Sequence, residues 1–263
     1  WPILKLTLDY LEAGRLTDPD LQRRIAQEVG NLHQALRPSL LSAERSGGVS
    51  WLWDDEYQSA RSLGSLAIDV LGHLSAPNAA ADLRQALEYR DPRLRLFAAL
   101  GLMRSGSPVS TSALSEIASA AECRSILFRG MRELSRLSDF PRPYATQASL
   151  AESEMVNWLI FPTELGRAPD EIELMAVVPA TSKDGPTDYF LFRFRTAPPH
   201  WAAKDGWVAG VAGPFLVKAQ PTPDGGGDTF STFTPWDSQT IQEHVNGVTD
   251  LLDRSRQLWL KNP

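Results

Sequence analysis

The chain predicts an α+β protein: an N-terminal array of α-helical hairpins, then an antiparallel β-sheet closed by a C-terminal helix. Three observations carry this. Asp91-Pro-Arg-Leu-Arg-Leu-Phe-Ala-Ala-Leu-Gly-Leu-Met-Arg-Ser-Gly106 reads as one complete helix with relatives about thirty residues to either side. After Phe161-Pro162 the apolar period drops from 3.6 to 2. From Ile241 onward the helical period returns. Residues 1–142 are therefore assigned to the helical array, and residues 143–263 to an α+β domain of about four antiparallel strands plus flanking helices.

Residues 1–16 alternate Lys5, Asp9, Glu12 and Arg15 with apolar positions, which suits an amphipathic helix better than a signal peptide. In the central helix, Asp91 supplies an N-cap, and Pro92 fits the first helical position because its missing N–H costs nothing there. Leu94, Phe97, Ala98, Gly101 and Leu102 recur at the spacing of one buried face. The small residues at 98, 99 and 101 allow a neighbouring helix to come close, and Gly106 with Pro108 provides the stop. Upstream, Ala80–Tyr89 is a shorter helix with Leu83, Ala86 and Leu87 inward, joined to the first by a tight turn at Arg90-Asp91-Pro92.

The neighbours repeat this plan. Leu66-Ala-Ile-Asp-Val-Leu-Gly-His-Leu-Ser-Ala-Pro77 parallels Phe97–Pro108 at an offset of 31, and Ser112–Ala121 followed by Glu122–Leu137 repeats the short-helix, long-helix order more loosely. Over about residues 56–138 the chain resembles HEAT-like repeat proteins. Asp91, Pro92, Leu94, Arg95, Ala98, Ala99 and Leu102 match their turn and second helix. Two departures stand out: the third unit has Ala121-Glu122 where Asp-Pro is expected, and it shows no repeated arginine opposite Arg95. The resemblance implies stacked antiparallel hairpins and a role in holding another macromolecule.

Phe140-Pro-Arg-Pro-Tyr144 breaks the helical run, because two prolines this close cannot sit inside a helix. Ala148–Ile160 then predicts one more helix. Strands follow at Glu171–Val178, ended by Pro179, at Thr187–Thr196, at Gly206–Val217 and at Asp228–Trp236. In the second, Phe190, Phe192 and Phe194 point one way, with Tyr189, Leu191, Arg193 and Arg195 the other. The glycines of the third suggest bulges or close backbone contact. Connections of roughly 8–11 residues suit an antiparallel meander. The phenylalanine row is expected under the final helix, which Asp237 or Ser238 caps and whose apolar face runs through Ile241, Val245, Val248, Leu252, Leu258 and Trp259.

Composition narrows the function classes. No apolar run approaches the ~18–20 residues needed to span a bilayer, so no membrane partner is expected. A single cysteine, Cys123, excludes an intrachain disulfide and suits a reducing, cytoplasmic location. The net charge of −6 is unevenly spread: residues 1–81 carry net −3, 82–142 net +3 through ten arginines against seven acids, and 143–263 net −6. The arginine-rich centre is either a docking surface for an acidic protein or a set of solvated and locally paired helix residues. A net +3 is too small for phosphate-driven binding, so nucleic acid is not the expected partner.

Catalytic motifs are absent from the sequence pattern. His33, His73, His200 and His244 are scattered with no paired spacing and no partner cysteine, so no zinc site and no other cofactor is expected. Cys123 lies at a helix start, where a dipole-activated thiol is one reading and a passive buried thiol the other. Acidic groups at Asp54-Asp55-Glu56, Glu152/Glu154 and Glu171/Glu173 leave room for an acid/base pair. The tryptophans Trp51 and Trp53, between helices, and Trp201, in a Pro-Pro loop, are either interface anchors or packing residues. The favoured function is a non-enzymatic protein-binding module with Arg90, Arg93, Arg132, Trp51, Trp53 and Trp201 at its partner surface. Its small size, acidic balance and bacterial-looking composition suit a toxin-neutralising immunity protein or a recognition module of a defence or signalling protein. The alternative is a hydrolase-type enzyme using Cys123, His200 or the acidic pairs at the domain junction.

Overall fold

The structure, a computed structural model, describes residues 2–44, 52, 54–74, 76–182, 184–197, 206–218, 220–223 and 230–261. It separates into two compact units, Trp1–Pro141 and Arg142–Pro263. In the first unit the described helices are α1 (Pro2–Glu12), α2 (Pro19–Glu44), α3 (Asp55–His73), α4 (Pro77–Ala86), α5 (Pro92–Arg104), α6 (Thr111–Ser119) and α7 (Ala121–Glu133). The caps follow local chemistry: the Asp54, Asp91 and Ser110 side chains accept from the backbone N–H groups of Tyr57, Arg93 and Ala113, satisfying donors that the helix itself leaves orphaned.

The helices pair as α2/α3, α4/α5 and α6/α7. Helices α3, α5 and α7 then pack side by side, so that α5 lies between neighbours and is buried nearly all round. Its Leu94, Ala98 and Leu102 join the first core with Ile68, Leu71 and Leu83, while Leu96, Ala99, Leu100 and Met103 are buried as well. The small residues serve the close approach that their positions suggested. A Cβ on Gly101 would stand 2.6 Å from the Gly72 Cα, so α3 and α5 meet backbone to backbone; a Cβ on Gly130 would strike the Leu100 side chain at 2.6 Å.

The repeat register is finer than one offset. Helices α3 and α5 end 31 residues apart, at His73 and Arg104, but α5 and α7 both start and end 29 apart. At that spacing Arg124 occupies the place in α7 that Arg95 holds in α5, which corrects the apparent absence of a repeated arginine. An Ala120 N-cap without a side-chain bond stands where Asp91 does.

The second unit contains α8 (Gln147–Leu159), the strands β1 (Glu171–Ser182), β2 (Gly185–Arg195), β3 (Val208–Leu216) and β4 (Phe230–Pro235), and α9 (Ile241–Lys261). The sheet is an antiparallel meander in the order β1-β2-β3-β4. Three expectations about the sheet are corrected. Pro179 does not end β1: it pairs with Asp188, and because β1 is an edge strand no ladder bond is lost where the proline lacks its N–H. The first connection is a tight turn between the paired Ser182 and Gly185, far shorter than 8–11 residues, with Gly185 at φ +125°.

The third correction concerns the faces. Phe190, Phe192 and Phe194 pack with Phe215 against Ala151, Met155 and Leu159 of α8, not against the final helix. Helix α9 contributes Val245, Val248 and Leu252 to the opposite face, with Val178, Leu191, Trp207 and Trp236. Both faces are apolar, so both need a helix; strand parity says which residues share a face but not which helix covers it. Gly210 has Met155 of α8 so close that a Cβ would sit 2.7 Å from its Cε. Helix α9 is capped by neither Asp237 nor Ser238. Thr240 and Glu243 form a reciprocal capping box: Glu243 Oε2 accepts from the Thr240 N–H at 2.7 Å, and Thr240 Oγ1 accepts from the Glu243 N–H at 3.3 Å. Ile241, expected inward, is 47% exposed, and the side chains of Leu258 and Trp259 lie outside what is described.

Candidate interaction surface

The N-terminal ends of α3, α5 and α7 are joined by a buried ionic cluster. Arg61 Nε donates to Asp91 Oδ2 at 2.6 Å, its Nη2 reaches Glu122 Oε1 at 2.8 Å, and the Tyr57 hydroxyl donates to the same Asp91 oxygen at 2.8 Å. Asp91 is fully buried and Arg61 nearly so. Asp91 thus caps its own helix and anchors the neighbouring one. Arg61 went unnoticed in the sequence, although Tyr57, Arg61, Ser65 and Ile68 trace one inward face of α3, and an arginine on such a face implies a buried acid.

Cys123 sits beside this cluster, fully buried. Burial pushes its thiol well above the ordinary range, and the carboxylates of Glu122 and Asp91 push it further. Helix-dipole activation is overridden, so the thiol is a packing group. Three of the acidic candidates also have local partners. Asp54 is a cap; Glu173 accepts from Arg193 at 2.6 Å and Glu171 from Arg195, while both guanidinium groups lie over the Trp207 ring at 4.4 and 4.7 Å. His200, Trp51, Trp53 and Trp201 lie outside the described residues.

Arginines of the central segment divide by task. Arg124 is buried and donates to the Ala118 and Ser119 carbonyls, closing α6; Arg95 pairs with Glu116 at 2.7 Å; Arg136 pairs with Asp139; and Arg104 donates to the Gly72 carbonyl at 3.2 Å. Arg90 is exposed in the α4–α5 turn, Arg93 is half-buried in the first turn of α5, and Arg132 is exposed in the last turn of α7. Since α5 and α7 run parallel, Arg132 stands about 15 Å along the helix axis from the end that carries Arg90 and Arg93. Arg132 therefore stands well apart from the other two.

The repeat spacing instead brings together a different row. On α5, Arg93, Phe97 and Arg104 are half-buried and share one face. Their equivalents 29 residues on are Glu122, Ile126 and Glu133 of α7; those 31 residues back are Ser62, Leu66 and His73 of α3. An apolar line of Leu66, Phe97 and Ile126 therefore crosses three parallel helices, with charged or polar positions on either side.

One cluster has the residue types to hold a metal ion. Glu12 at the end of α1 meets Asp69 and His73 of α3, with one ligand atom from each inside a span of 4.8 Å. Sequence spacing concealed it, because Glu12 is far from the other two along the chain. Burial lifts the Asp69 carboxyl to about 6; burial, then Arg104, lowers the His73 imidazole to about 4.

No helix among the described residues is long and apolar enough to cross a membrane. No curated protein and no solved structure matches the chain. The family described as HEAT repeats matches residues 54–127, from the Asp54 cap into α7. The stacked helices of that span are a HEAT-like helical repeat.

Proposed function

We propose that the chain is a non-enzymatic protein-binding module whose partner docks on the α3–α5–α7 layer. HEAT repeats generally mediate protein–protein interaction. The observation that carries the proposal is the line of Leu66, Phe97 and Ile126 flanked by Arg93, Arg104 and Glu133. An apolar centre with a charged rim is the composition of a specific interface, and arginine is favoured there. Arg90 extends the rim at one end and Arg132 at the other. In its narrower form the proposed role is neutralisation of a toxin, or recognition within a larger defence or signalling assembly; small size and acidic balance support it.

The test compares the intact chain with the triple variant Arg90→Glu/Arg93→Glu/Arg132→Glu and with Ile126→Lys, each used at low salt to capture partners from the native host. A protein retained by the wild type and lost from both variants, at unchanged melting temperature, is the expected result. Equal retention by all three removes this surface, and retention of nothing by the wild type removes the binding role.

A further inference from the structure

We infer that Glu12, Asp69 and His73 form a binding site for one divalent transition-metal ion of the zinc class, clipping α1 to α3. The inference does not depend on the docking surface. Asp69 and His73 are four residues apart on α3, which places them one above the other on one helical face. His73 Nε2 lies 3.7 Å from Asp69 Oδ1 and 4.0 Å from Glu12 Oε1. Ligand atoms about 2.0–2.1 Å from a tetrahedral ion stand roughly 3.4 Å from one another. The two histidine pairs therefore have to close by only about half an ångström, and the two carboxylates, within 4.8 Å of each other, by at most about 1.4 Å; Glu12, whose side chain is 54% exposed, is free to swing that far.

The pair is also short of hydrogen bonds from the protein. The Asp69 and His73 side chains are only 17% and 15% exposed, yet among the described residues no hydrogen bond reaches the carboxylate or the ring. Their polar atoms are not sealed from solvent, so a bound ion would displace only water there. The nearest cation, Arg104, donates to the Gly72 carbonyl instead. Two carboxylates and one neutral imidazole balance a dication. This borderline donor set suits zinc, cobalt or manganese over calcium, which takes oxygen ligands alone. Three protein ligands leave a fourth position, on the exposed Glu12 side, for water or a ligand from another molecule.

The test uses the full chain, stripped with chelator and titrated with Zn²⁺ by calorimetry and with Co²⁺ by visible absorption. The expected result is one ion per chain, a cobalt spectrum of four-coordinate intensity, and binding weakened by more than about a hundredfold in both His73→Gln and Asp69→Asn. The exposed variant Asp20→Asn should bind as the wild type does. Arg104→Gln should tighten binding by about tenfold, because a like charge beside the ion is removed. Absence of saturable binding to the wild type, or binding unaltered by His73→Gln, overturns the site. Binding seen only in Arg104→Gln overturns it too, since Arg104 would then be the cation the cluster was built around.

Discussion

The meeting of Gly72 and Gly101 makes a sharp prediction about Gly101→Ala. On propensity alone the change favours the helix by about 1 kcal/mol, since glycine is the poorest interior helix former after proline. The new methyl, however, would lie 2.6 Å from the Gly72 Cα and 3.1 Å from Leu83 Cδ1. Carbon atoms prefer about 3.5–4.0 Å, so α3 and α5 have to part by about 1 Å, and a gap of that size forfeits a quarter to a half of each contact across it. The leucine can shift; the facing backbone cannot move without its helix. Overpacking of this kind costs about 1–3 kcal/mol, and the rigid neighbour puts it at the upper end. The net expectation is a loss of about 2 kcal/mol, seen as a melting temperature lowered by roughly 4–8 °C in thermal denaturation followed by circular dichroism. Gly247→Ala provides the opposite sign: it lies inside α9 with nothing within 4 Å of its Cβ, so the propensity gain should appear unopposed. A Gly101→Ala protein as stable as the wild type would refute backbone-to-backbone packing of α3 on α5.

Two further outcomes follow from the buried charges. Arg61→Met strands the Asp91 and Glu122 carboxylates away from water and should cost about 3–5 kcal/mol in urea denaturation; restoring stability by adding Asp91→Asn would identify the stranded charge as the cause. The Asp69–His73 pair should respond to acid in a way only a variant reveals. A folded-state imidazole at about 4, against an ordinary 6.5, gives stability that is complete above pH 6.5 and lost as pH falls toward 4; a carboxyl raised to about 6 from 3.8 does the reverse, gaining stability as pH falls through 6. In metal-free wild type the two slopes nearly cancel. In Asp69→Asn the histidine acts alone, and stability should drop by up to about 3 kcal/mol between pH 6.5 and 4; a flat profile for that variant would be inconsistent with a buried, neutral His73.

Much of this architecture could be read along the chain because it is decided by neighbours in sequence. Asp91, Pro92 and the spacing through Leu102 announce α5, its cap and its close approach to another helix, all set by hydrogen bonds and side-chain periodicity within a few turns. The alternation through Phe190 and Phe194 announces a strand in the same way. Positions chosen by remote contacts were misjudged: Ile241 lies exposed, Pro179 sits inside a strand whose edge tolerates it, and the phenylalanine row takes α8 as its cover. Of the proposed partner surface, Arg93 was visible from charge alone. Leu66 and Ile126 were not, because their alignment depends on unequal spacings of 31 and 29 between successive helices.

By itself the sequence determined the helical repeat, the break near residue 140, the meander and the unsuitability of Cys123 for a disulfide within the chain, since each depends on local geometry or on counting. Only the tertiary structure decided that Arg61 holds the ends of three helices and that Glu12 comes to Asp69 and His73. Both are meetings of charges far apart in the chain. The free energy of burying a charge depends on what stands opposite it, and that is settled when the helices stack.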